Sequence, residues 1–276
     1  MKTTNLPVVD QRTQRIPRGL LVFGLLVVAI LNGLAAERGG MLAVDPVTLA
    51  AALAGLWLIA SAGAGEISRR DCAVSALAAL IILIPHDAAG WAGAGVLGAY
   101  GMIAWRRFPT LAAGAAVFFV LSLHEVWAGR LLMNALAPLL TESDAALATG
   151  ALSLLGQDVT RQGNVIITQN GYELVVVPLC TTFRAFWYGL LCCFAFTRLV
   201  RPAWHRSELA TWALLAAALL VLNTVRLTLF GLDLSYYDAL HGEAGGTLFN
   251  LAVLMLTLAI ATNGVRREFR FRHPRD

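Results

Sequence analysis

Eight apolar runs divide this chain, and they are continuous rather than periodic. They cover Gly19–Ala36, Pro46–Gly65, Cys72–Pro85, Ala88–Trp105, Phe108–Leu123, Ala185–Thr197, Leu209–Val225 and Ala244–Val265. A helix or strand at a protein surface alternates polar and apolar residues with a period of 3.6 or 2, so runs lacking that alternation belong in hydrocarbon. With 58% apolar and 14% charged residues and a mean hydropathy of +0.69, the 276 residues cannot hide their apolar surface in one soluble core. In lipid each backbone N–H and C=O must find its partner within the span, which selects helices. The chain therefore reads as all-α: a polytopic transmembrane helical bundle of about eight spans, forming a single integral membrane domain over residues 1–276. Several runs fall short of the roughly 20 residues a span needs, so their ends extend over flanking polar residues. The first run follows a basic arm, Met1–Arg18, as in a signal peptide. No small-residue cleavage site is followed by a soluble domain, so it reads as a first helix that stays.

Basic residues orient such a bundle, because Lys and Arg near span ends are retained on the cytoplasmic side. With eight spans and an inner N-terminus, the inner segments hold Lys2, Arg12, Arg15, Arg18, Arg69, Arg70, Arg106, Arg107, Arg198, Arg201, Arg206, Arg266, Arg267, Arg270, Arg272 and Arg275. That is 16 of the 21 basic residues, leaving Arg38, Arg130, Arg161, Arg184 and Arg226 outside. Both termini are then cytoplasmic in a plasma (inner) membrane. The pI near 9.1 reflects this asymmetry rather than nucleic-acid binding.

The one long segment between spans, His124–Glu173, faces outward in this scheme. Its first part has helical apolar periodicity broken by Pro138. Its second part, Asn164–Val177, sets Asn170–Gly171 between two β-rich runs. One or two amphipathic helices on the outer face are expected, then a short hairpin delivering the chain to Cys180, as a connecting loop or as a lid.

Beyond that hairpin, the stretch Leu174–Arg198 interrupts its apolar run with Cys180 and Arg184, and an ionisable residue inside a span marks a functional site by default. Cys180 lies 18 residues from Arg198, about 27 Å along a helix, so the two occupy opposite membrane faces. Of the four cysteines, Cys72 falls at the cytoplasmic edge and Cys192 and Cys193 lie deep in span six, where a thiol serves as a small hydrophobe. Cys180 differs: Arg184 is one turn on, where a cation favours the thiolate. Asn223 and Arg226 share a face of span seven. Arg226 stands 20 residues from Arg206, about 30 Å, at the outer level of Cys180. His241 ends the loop before span eight. Thiol, guanidinium and imidazole thus converge on one membrane face.

That order of residues resembles the exosortase/archaeosortase family of membrane transpeptidases: Cys180, then N-x-x-R at Asn223–Arg226, then His241 before a last helix. The stretch Leu154–Val165 upstream adds to the likeness. The resemblance is strongest over 131–249, while the first four spans match only in being hydrophobic. It implies that Cys180 is the nucleophile, that Arg226 stabilises charge and that His241 is the acid and base. Arg184 and Asn223 support them. It further implies protein substrates that carry a C-terminal motif, a transmembrane helix and a basic cluster, with a lipid or another amine as a possible acceptor. The active site would face outward, towards the periplasmic side. No metal or other cofactor is implied. One departure stands out: the family commonly has Cys-Ser-Gly where this chain has Cys180-Thr181-Thr182.

The residue types suit acyl transfer for stated reasons. The thiolate is the attacking form. A fixed guanidinium stabilises the oxyanion in a low-dielectric site. An imidazole gives a proton to the departing amine and takes one from the incoming nucleophile. Two rival readings stand beside this one. The first is a metal-dependent membrane hydrolase built on His124, Glu125, His241 and Glu243, although His124–Glu125 lacks an H-E-x-x-H partner because position 128 is Ala128. The second is a non-enzymatic transporter or assembly subunit in which Arg184 and Arg226 bind an anionic substrate.

Overall fold

Proline, glycine and capping residues set the boundaries of the helices before any tertiary packing is considered. The computed structural model describes residues 22, 24–30, 46–62, 67–84 and 86–271. The basic arm, most of the first apolar run, Arg38 and the basic end from Arg272 lie outside them. So do the side chains of Arg130, Glu243, Arg267 and Arg270. Residues 24–30 are helical.

Pro46 opens α1 (Pro46–Ser61) and Pro109 opens α4 (Pro109–Ser122), at a position where the missing N–H costs nothing. Between them, α2 (Arg69–Ile82) starts on a capping box, Ser68 with Asp71, and α3 (Asp87–Ala104) starts on the His86 side chain. Asp71 is buried and also accepts from Tyr100 Oη (2.9 Å) and Trp105 Nε1 (3.0 Å), which ties the C-terminal end of α3 to the start of α2. Glycine lets α3 and α4 touch along their backbones: a Cβ on Gly98 would stand 2.6 Å from the Ala115 carbonyl.

Beyond Ser122 the helix widens into a π-helical stretch, Leu123–Leu132, and runs on into α5 (Met133–Leu154). Two expectations are corrected here. His124 and Glu125 do not begin an outward loop; they belong to a candidate membrane span, Pro109–Gly129. Nor does Pro138 break the helix. Its cost of about 3 kcal/mol is offset by burial of Thr141, Ala145, Ala148 and Leu152 along one stripe of α5.

The expected hairpin is present and larger than expected. Strands β1 (Val159–Gln162), β2 (Val165–Thr168) and β3 (Glu173–Val175) form one antiparallel sheet in sequence order. Its two turns carry Gly163 at φ +59° and Gly171 at φ +74°, a region closed to most side chains. Ile166 pairs with Leu174, and both are buried with Leu152, Leu227 and Phe230. Asn164 then accepts from the Val176 amide and donates to the Val176 carbonyl, each at 2.9 Å, fixing the chain four residues before Cys180.

A single turn, Pro178–Cys180, leads into α6 (Thr182–Val200), followed by α7 (Ser207–Leu232), the short α8 (Leu234–His241) and α9 (Glu243–Phe271). Four helical segments are long and apolar enough to cross a membrane: Pro109–Gly129, Thr182–Val200, Ser207–Leu232 and Ala244–Arg266. Pro46–Ser61 and Ala88–Ala104 are shorter apolar helices. The protein is thus mostly helical with four candidate spans among the described residues.

At the α6–α7 connection Arg198 and Glu208, both 2% exposed, form a hydrogen-bonded ion pair. Arg201 joins it at 3.2 Å, and Trp204 and Phe194 stack beside Arg198. Removing one member of a buried pair leaves the other charge uncompensated. Glu208→Gln should therefore destabilise the fold by about 3–5 kcal/mol, read as a lowered thermal midpoint of the purified protein. An unchanged midpoint would mean that this pair is not stabilising.

Candidate active site

Cys180 owes its position to three neighbouring elements. Its amide donates to the Val177 carbonyl at 2.8 Å, closing the turn, and Asn223 Nδ2 of α7 donates to its carbonyl at 3.0 Å. The next helix needs its first N–H groups satisfied, and Thr181 at the cap makes no side-chain bond to them. A residue from another helix does so instead: Asp144 of α5, 5% exposed, accepts from the Thr182 amide (2.7 Å) and from Thr182 Oγ1 (2.8 Å). Asn223 Nδ2 also donates to Thr182 Oγ1 at 3.2 Å. Thr182, one of the positions where Cys-Thr-Thr departs from Cys-Ser-Gly, is the hinge of this clamp. Asp144 escaped the sequence reading because it lies in no motif. Its one signal was an acid inside the buried stripe that carries Thr141, Ala145 and Ala148.

One turn beyond Asn223, the Arg226 guanidinium lies 4.1 Å from the centre of the Phe249 ring and 5.1 Å from that of Phe230. Two aromatic faces attract and orient the cation without neutralising it. No carboxylate among the described residues pairs with Arg226 or Arg184. Both arginines, with Cys180 and Asn223, line one cavity of about 530 Å³ between α6, α7 and α9.

His241 is placed elsewhere. It ends α8, is exposed, and stacks on Tyr237 with ring centres 4.7 Å apart and planes at 14°. It does not line the cavity. Its ring centre lies 6.2 Å from that of Phe230, the same ring that Arg226 lies over, so imidazole and guanidinium share one aromatic neighbour.

Among the described residues the rival metal site finds no assembly, and the Glu243 side chain lies outside them. His124 packs edge-on against Tyr188 at 5.0 Å, and Glu125 accepts from Thr48 at 2.8 Å, while His241 belongs to the Tyr237 stack. Among the described residues no group of three or more His, Cys, Asp or Glu side chains is placed to hold a metal ion.

Residues 10–259 match the family described as Transmembrane exosortase. This chain belongs to the transmembrane exosortase family. No curated protein and no solved structure matches it. The family match reaches back over the four N-terminal helices, where the sequence resemblance went no further than hydrophobicity.

In this exosortase the sign of the thiol's perturbation differs from expectation. Burial pushes the Cys180 thiol up, and Arg226 first and Arg184 second pull it only part of the way back. Burial disfavours the charged form, so thiolate accumulates only above the ordinary thiol range. Alkylation of Cys180 by iodoacetamide, followed by mass spectrometry of its peptide, should rise with pH through that alkaline range. Arg226→Gln should move the rise further upward; a downward movement would show that Arg226 does not act on the thiol.

Proposed function

We propose that this exosortase-family protein is a membrane-embedded cysteine transpeptidase that cuts a C-terminal sorting signal at the outer membrane face. The observation that supports it most is the shared cavity wall: thiol, two arginines without carboxylate partners among the described residues and the asparagine that fixes the nucleophile's carbonyl meet at one end of the helices. The basic cluster Arg198, Arg201 and Arg206 lies at the other end of the same helices.

In this reading His241 takes the Cys180 thiol proton as the sulfur attacks the scissile carbonyl carbon, and the oxyanion forms against the Arg226 guanidinium. The C–N bond then breaks, the amine leaving with a proton from His241, and a thioester remains on Cys180. An amine acceptor or water then attacks that thioester as His241 takes its proton, the C–S bond breaks, and the proton returns from His241 to the released Cys180 sulfur. To do this His241 must leave its stack on Tyr237, and the non-helical residues Asp233 and Gly242 at the two ends of α8 are the joints for that movement.

Two arginines with no carboxylate partner among the described residues also suit an anion-binding transporter, and topology is the first thing the enzymatic reading requires. Reporter domains fused after Gly156 and after Arg201 should report the outer and the cytoplasmic side respectively. A cytoplasmic signal from Gly156 would remove the site from the face where secreted proteins are processed.

A further inference from the structure

Cys180 sits on a turn closed by local bonds. Its amide donates to the Val177 carbonyl at 2.8 Å, and the Thr181 amide and hydroxyl both donate to the Pro178 carbonyl, at 3.3 Å and 2.8 Å. Thr181 is thereby committed to the turn and leaves the first N–H groups of α6 uncapped. Two side chains from other helices tie the turn to the bundle: Asp144 of α5 and Asn223 of α7, 38 and 41 positions from Thr182.

Each hydrogen bond in this chain of groups has a fixed direction. An ionised carboxylate accepts and cannot donate, so the Thr182 hydroxyl gives its hydrogen to Asp144 Oδ1 at 2.8 Å, and the Thr182 amide gives its own to Oδ2 at 2.7 Å. With its hydrogen committed, Thr182 Oγ1 can only accept from Asn223, which places Asn223 Nδ2 against it at 3.2 Å. The same Nδ2 donates to the Cys180 carbonyl at 3.0 Å. Asn223 stands one turn from Arg226 on α7, so whatever is fixed to Asn223 is fixed relative to Arg226.

Capping alone does not account for an acid here. Serine, threonine or asparagine satisfies helix N–H groups without a charge, whereas a carboxylate is costly to bury unless paired. Asp144 is 5% exposed, no cation pairs with it among the described residues, and both of its hydrogen bonds come from Thr182. What the charge adds is an acceptor that cannot reverse. A neutral amide at position 144 can offer Thr182 either its oxygen or its NH2, which leaves the direction of the chain open.

We propose that Asp144 is a positioning residue of this site: through Thr182 and Asn223 it holds the Cys180 turn so that the sulfur stays within reach of the Arg226 charge. This rests on the reading of Cys180 as the nucleophile and adds the group that aims it.

The test reads the thiol itself, by iodoacetamide alkylation of Cys180 against pH in membranes holding the full chain. Arg226→Gln should move the rise in alkylation upward in the parent chain; no shift there means no contact to hold and overturns the proposal. In the Asp144→Asn background the same substitution should shift the rise little, because the two sites are coupled. An Asp144 that only stabilises the fold would leave the Arg226 shift whole, so a full shift in that background overturns the proposal. Exposed Glu142 on the same helix is the control for charge. Glu142→Gln should keep the full shift, and an equal loss there overturns the proposal as an effect of charge at a distance. Should Asp144→Asn fail to fold, Thr182→Ser keeps the hydroxyl and should keep the shift, while Thr182→Val removes the hydroxyl and should lose it; a full shift in both overturns the proposal. Cutting should follow the thiol, with turnover in Asp144→Asn about tenfold slower and substrate still co-purifying. The peptidase reading fails separately, by normal cutting in Cys180→Ala, and the alkylation profiles need no substrate and still decide the role of Asp144.

Discussion

Arg226→Ala and Arg226→Lys should each lower turnover by about 10² to 10³ while substrate still co-purifies with the protein. An oxyanion stabiliser acts mainly in the transition state, so its loss appears in the chemical step rather than in capture. Lysine keeps the charge but loses the planar group that lies across Phe249 at 4.1 Å and Phe230 at 5.1 Å, so it will not hold a fixed direction towards the Cys180 carbonyl adduct. Arg184→Lys should be milder, because Arg184 shows neither ring stacking nor a side-chain hydrogen bond among the described residues and acts on the thiol second to Arg226. Measured as initial rates on membrane-bound substrate, near-normal processing by Arg226→Ala would transfer the oxyanion role to Arg184.

What the sequence conveyed depended on whether a residue's role is local. The Asn170–Gly171 hairpin and the one-turn spacing of Asn223 and Arg226 follow from period and turn chemistry, and each appears in the structure, whereas of the eight apolar runs four correspond to candidate spans among the described residues. The π-helical continuation through His124 was illegible, since a short polar stretch after an apolar run gives the same signal in a loop and in a buried helix packed against Tyr188. Pro138 misled because local propensity was outweighed by a buried stripe of the same helix that packs against residues distant in sequence, Leu227 and Phe230 among them. The clamp on Cys180 joins Asp144, Thr182 and Asn223 across 38 and 41 positions, a pairing no periodicity can reveal. The sign of the thiol shift also needed the structure. Sequence counts the neighbouring cations, whereas burial decides how far they succeed. His241 marks the boundary of what residue order gives: it stacks on Tyr237 beside Phe230 and does not line the cavity.

The Cys180→Ala protein tests the central claim most directly. In the proposed mechanism the Cys180 sulfur carries the acyl group, so its removal should abolish cutting rather than grade it, and Arg226 with His241 should provide no bypass. The fold should survive, because Cys180 is tied in through its backbone: its amide donates to Val177 and its carbonyl accepts from Asn223. Quantitative mass spectrometry of membranes from cells carrying Cys180→Ala is expected to show an uncut partner protein, with its C-terminal membrane segment intact, accumulating beside the variant. In cells with the unaltered chain the same partner should be found cut. Equal amounts of cut partner in both would contradict the account and remove Cys180 from the chemistry.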